Sequence, residues 1–70
     1  MKNQKFKITG EYIELIKLLK ASGLCAMGSD AKYLVSNGMV KVNGATDLRL
    51  RAKIRPGDSI QLQNVVVEVE

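Results

Sequence analysis

Ser29-Asp30-Ala31-Lys32-Tyr33-Leu34-Val35-Ser36-Asn37-Gly38, then Met39-Val40-Lys41-Val42-Asn43-Gly44, then Arg49-Leu50-Arg51-Ala52-Lys53-Ile54-Arg55: on these pieces the fold turns. Ser29 as N-cap and Asp30 in the first turn predict the start of a short helix, and Asn37-Gly38 its end, where glycine adopts the left-handed conformation at low cost. Ala31, Leu34 and Val35 share one side of that helix. At this length it is not stable alone, so the side must be buried against a second helix and a sheet. Val40 and Val42 point one way from the following strand, Lys41 and Asn43 the other, and Asn43-Gly44 predicts a tight turn. In the third piece cations alternate with apolar residues. An extended backbone there would set Arg49, Arg51, Lys53 and Arg55 on one face and Leu50, Ala52 and Ile54 on the other. No acid interrupts the row, so it reads as a surface built to meet anions rather than the mixed-sign face of an ordinary soluble surface.

Toward the N-terminus, Lys5 to Ile8 alternates charged and apolar residues, as a short edge strand does. Thr9 is placed to cap a helix over Gly10 to Ser22, along which Tyr12, Leu15, Ile16 and Leu19 follow the helical period; Gly23 stops it. Leu24 to Gly28 is long enough only for a turn between two helices. Toward the C-terminus, Pro56-Gly57-Asp58 predicts a turn with proline and glycine at its two central positions. Strands follow around Ile60 and Leu62 and, after Asn64, around Val65, Val67 and Val69. One core is expected to join Leu15, Leu19, Leu34 and Val35 to Val40, Val42, Ile60, Leu62 and Val67. Phe6 and Tyr12 are assigned to that core as well, while Tyr33 lies off the apolar side of its helix and is a candidate to stack on a base. The architecture is α+β: two short helices packed on a small bent antiparallel sheet.

Seventy residues with a net charge of +4 make one domain over 1–70 and leave no room for a deep active-site cavity, since a chain of this size buries only about 60% of its unfolded surface. Four of the eleven cations fall between Arg49 and Arg55, which makes nucleic acid the first candidate partner. Cys25 is the one cysteine and there is no histidine, so neither a disulfide nor a zinc site is expected. Nor is there a base to activate Cys25, and Asp47 and Asp58 read as turn residues rather than a catalytic pair. No enzyme, cofactor or small-molecule substrate is expected. Lys2, Lys5 and Lys7 imitate the start of a signal peptide, but Glu11, Glu14 and Lys17 break any apolar run behind them. A cytoplasmic location and no membrane partner are the expectation.

Taken together, Gly28-Ser29-Asp30-Ala31-Lys32, Asn37-Gly38-Met39-Val40-Lys41-Val42-Asn43-Gly44, Asp47-Leu48-Arg49-Leu50-Arg51-Ala52-Lys53 and Pro56-Gly57-Asp58 resemble the S4 RNA-binding domain, and more closely its small stand-alone bacterial form, the YbcJ and YaaA type. Leu15, Leu18, Leu19 and Lys20 are similar to that family's first helix, so the resemblance covers nearly the whole chain. It implies RNA lying against the second helix and the basic loop beside it. Many larger members carry arginine where this chain has Gly28, and basic residues where it has Ser36-Asn37, which shifts weight to Arg49, Arg51 and Lys53. The expected function is binding of structured RNA, ribosomal or transfer RNA, by a monomer. Lys32, Lys41, Arg49, Arg51 and Lys53 would contact phosphates, with Lys20, Ser29 and Arg55 as further candidates. Two other readings are open: a basic docking face of a protein-interaction or assembly factor, and a helix-turn-helix DNA-binding module, although the second helix carries only Lys32 among long basic residues.

Overall fold

The second helix forms largely where its cap and stop residues place it. In the computed structural model, which describes residues 2–70, α2 spans Gly28–Ser36 and ends at Asn37 and Gly38, the latter at φ 71°. The Gly38 and Met39 amides donate back to the carbonyls of Val35 and Leu34, closing the helix end. The helix opens two residues earlier than expected. Met27 is the extended N-cap residue, and its carbonyl accepts from the Asp30 and Ala31 amides, so Ser29 lies inside the first turn and caps nothing.

The first helix departs further from expectation. α1 covers only Leu15–Ala21. The preceding Ile13–Glu14 is a strand, β2, paired antiparallel with β5 (Lys53–Ile54). The helical period running back through Tyr12 is therefore not realised: pairing with a distant strand draws residues 13 and 14 into extended backbone. Tyr12 is left 44% exposed, so it is not a core residue, while Phe6 is half-buried against the core. With the helix starting at Leu15, its inner side is Leu15, Leu18 and Leu19, all fully buried, and Ile16 sits at the margin.

The larger sheet has the order β1-β7-β6-β3-β4, with β1 at Lys2–Phe6, β3 at Val40–Val42, β4 at Ala45–Thr46, β6 at Ser59–Leu62 and β7 at Val65–Val69. Three of its pairings are antiparallel, and β1 joins β7 in parallel, so the sheet is mixed. β1 also begins three residues earlier than the alternation at Lys5 to Ile8 suggests, because its partner is the last strand of the chain. Asn43 (φ 51°) and Gly44 (φ 86°) make the two-residue turn between β3 and β4, both in the left-handed region that such a hairpin requires. Gly57 (φ 99°) and the Asp58 N–H donating to the Arg55 carbonyl at 3.0 Å make the turn before β6.

Period-two alternation sends Val40, Ile60, Leu62, Val67 and Val69 to one face of the sheet. There they form a single core with Leu15, Leu18, Leu19, Ala31, Val35, Ala52 and Ile54; Val42 and Leu34 pack at its edge. Leu18 has no exposed surface. Leu18→Ala should destabilise the fold by about 2–5 kcal/mol, a large share of the total for a domain this small. Urea unfolding should show a lower midpoint at an unchanged slope, and an unchanged midpoint would contradict the packing described.

Candidate nucleic-acid interface

The segment from Asp47 to Asp58 is held from both sides by hydrogen bonds. Asp47 begins it, its N–H donating to the Val40 carbonyl at 3.2 Å and its Oδ1 accepting the Arg49 N–H at 2.9 Å. The same carboxylate takes the Arg49 side chain on two prongs, Nε to Oδ1 at 3.0 Å and Nη2 to Oδ2 at 2.8 Å. Asp47's side chain is only 12% exposed while that of Arg49 is 77% exposed. These side-chain hydrogen bonds hold the Asp47 carboxyl below the usual aspartate range.

The chain then turns at Leu50-Arg51. That turn aims two carbonyls at the start of α1: Leu15 N–H donates to Ala52 at 2.9 Å and Ile16 N–H to Leu50 at 3.2 Å. A helix leaves its first amides without partners, and here Glu14, the N-cap residue, supplies no side-chain hydrogen bond. The loop carbonyls take that place. The row of cations is consequently not one extended strand, and only Lys53–Ile54 pairs as β. Its in-and-out alternation survives the turn: Leu50 is half-buried, Ala52 and Ile54 are buried, and Arg49, Arg51, Lys53 and Arg55 are exposed.

Lys53 extends over the ring of Tyr12, its Nζ 5.1 Å from the centroid, a cation–π contact. Tyr12 also borders an open groove of about 280 Å³ with Phe6, Ile8, Thr9 and Ile13. At the far end of the segment, the Arg55 N–H donates to Asp58 Oδ2 at 2.8 Å and Asn43 Nδ2 donates to Asp58 Oδ1 at 3.0 Å. Asn43 Oδ1 in turn accepts the Ser59 N–H at 2.9 Å. This bracket joins the two turns and depresses the Asp58 carboxyl, the Arg55 amide contributing most and Asn43 next.

The remaining candidates divide between two layers. Lys32 is exposed on α2, whose buried positions are Ala31 and Val35. Lys20, in the last turn of α1, runs its stem past the start of α2, with Cδ 4.0 Å from where a Cβ on Gly28 would stand; Ser29, the next residue along α2, is exposed. Lys41 lies between Val40 and Val42, its cross-strand neighbours Gln61 and Thr46, on the face of the sheet turned away from the core. The sheet therefore separates it from Lys32. Tyr33 is 64% exposed. Two partners were not foreseen, Asp47 for Arg49 and Tyr12 for Lys53. An aspartate two residues ahead of the Arg49 amide is the local signal for the first, since that spacing makes an Asx turn.

Cys25 is buried, and burial, with Asp30 nearby, pushes its thiol upward, away from reactivity. Among the described residues no group of three His, Cys, Asp or Glu side chains is placed to hold a metal ion. No helix among them is long and apolar enough to cross a membrane.

Two helices on a mixed sheet, with a basic loop capping the first helix, can be set beside known proteins. A family described as S4 domain matches residues 6–70. The chain belongs to the S4-domain family. It is 38% identical over 58 residues to YbcJ of Escherichia coli, covering 83% of each chain, and equally to YbcJ of Shigella flexneri. The solution structure of the E. coli protein superposes with a TM-score of 0.70 at 33% identity, over 99% of this S4 domain and 86% of that chain; it is described as revealing an alfaL motif involved in RNA-binding.

The Asp58 bracket carries a pH signature. A carboxyl with a depressed folded pKa contributes stability that is present above its unfolded value and lost as pH falls through the folded one. Asp58→Asn should therefore melt lower than the parent at pH 7, and the gap should narrow as pH drops below about 4. Melting temperatures between neutral and strongly acid pH check this; a gap independent of pH would contradict it.

Proposed function

We propose that the chain binds structured RNA by its phosphates, through the outward cations of residues 49–55 and the exposed surface of α2. What carries the reading is the commitment of the Leu50 and Ala52 carbonyls to the first amides of α1. With the backbone tied inward, the cationic side chains of the loop extend into solvent as a preset basic ridge. Arg51 and Lys53 are the central phosphate contacts, Lys32 adds to them from α2, and Lys20 brings charge to the start of α2 beside Ser29. Arg49 and Arg55 flank the ridge. Lys41, on the outer face of the sheet, serves RNA that wraps past the sheet edge. The S4-domain match and the RNA-binding motif described for YbcJ support the same reading.

Double-stranded RNA offers a wide shallow groove and a regular phosphate array, so a rigid basic ridge selects shape more than sequence. Ribosomal and transfer RNA, rich in such folded elements, are the targets proposed.

With about four phosphates neutralised, log affinity should fall against log salt with a slope of roughly −3 to −4. Arg51→Ala should flatten that slope by about 1, weaken binding similarly across RNA sequences, and leave the melting temperature nearly unchanged. Filter binding to transfer RNA over a salt series, with duplex DNA as competitor, measures this. A salt-independent affinity, or duplex DNA competing as well as RNA at equal salt, would refute the proposal.

A further inference from the structure

Arg49 stands in the same row as Arg51 and Lys53, yet its chemistry differs. A guanidinium has five N–H donors. Asp47 takes two of them side-on, Nε–H and one Nη2–H, and its Oδ1 also holds the Arg49 backbone amide. The carboxylate is mostly covered and the guanidinium mostly open, so the aspartate serves as the mount and the arginine as the part on display. Three N–H remain, and two of them, one from Nη1 and one from Nη2, run parallel along the end-on edge of a side chain that is mostly exposed. No other cation among the described residues has such a mount: Lys53 rests over a ring, and the only other ion pair is that of Lys17 with Glu14 at 3.7 Å.

The pair carries no net charge, so Arg49 is poorly suited to drawing in a polyanion from a distance. It is well suited to a two-point contact at close range, because its rotamers are already restricted before the partner arrives. We propose that Asp47 is a positioning residue that converts Arg49 into a specificity contact. The free edge of Arg49 meets a pair of adjacent acceptors on RNA end-on, either the two unesterified oxygens of one phosphate or the O6 and N7 of an unpaired guanine. This rests on the RNA-binding reading above and assigns a separate task within it: Arg51 and Lys53 supply charge, Arg49 supplies geometry.

The test uses a stem–loop RNA with guanines in its loop and compares the parent with Asp47→Asn/Arg49→Gln, Arg49→Lys and Arg51→Gln over a salt series. The asparagine keeps an Oδ1 acceptor for the Arg49 amide, so the turn is retained, and circular dichroism confirms folding. The double variant leaves net charge unchanged. It should bind roughly tenfold more weakly at an unchanged salt slope, and Arg49→Lys, which keeps the charge but lacks the fork, should do the same. Arg51→Gln should instead flatten the slope by about 1. Replacing the loop guanines by 7-deazaguanine, or loop phosphates by methylphosphonates, then finds the acceptor pair: whichever change abolishes the difference between parent and double variant identifies it. If Arg51→Gln flattens the slope while the double variant binds like the parent, or if neither RNA change removes the difference, the role given to Arg49 is wrong and RNA binding stands. If the parent binds no RNA, both fall.

Discussion

Two hydrogen bonds, from the Leu15 and Ile16 amides to the carbonyls of Ala52 and Leu50, hold this small fold to its shape. A seven-residue helix has no independent stability, and its first amides would be orphaned as the apolar side packs down. Each such bond contributes only about 1 kcal/mol net, but leaving a buried amide unpaired costs about 1–3 kcal/mol, so a displaced loop is penalised more than a seated one is rewarded. The loop is gripped again by the two-residue pairing of β2 with β5, which lie immediately before the helix and after the turn. Helix start, loop and minor sheet therefore form or fail together. The basic ridge is the outside of this joint, and its order derives from bonds made by atoms that carry no charge.

Much of this was legible where the chemistry is local. The end of α2 at Asn37-Gly38, the Asn43-Gly44 hairpin and the Pro56-Gly57 turn each depend on a few adjacent residues whose backbone preferences are strong. The alternation from Arg49 to Arg55 also placed side chains inside and outside correctly, although the backbone turns at Leu50-Arg51, because burial of Leu50, Ala52 and Ile54 enforces the period even where β geometry lapses. Legibility failed where a distant partner decides. Tyr12, Leu15, Ile16 and Leu19 fit a helix perfectly well, and nothing nearby announces that Ile13 and Glu14 will pair with Ile54 and Lys53. Lys41, by contrast, was legible as an outward residue, because Val40 and Val42 on either side of it belong to the face that the helices cover. Arg49 was counted as a free charge because composition records charge and not its neighbour, the carboxylate of Asp47.

The parallel seam between β1 and β7 bears on what lies at the edge of the larger sheet. β7 carries valine at four of its five positions, a segment of the kind that recruits other chains when its edge lies open. β1 covers that edge with Lys-Asn-Gln-Lys-Phe, and sets Lys5 beside Glu68. The chain thus begins with a polar sheath for the strand with which it ends. With β1 displaced, the backbone edge of this valine-rich strand would lie open to pairing with another chain, so the seating of residues 2–6 is what closes the sheet on that side.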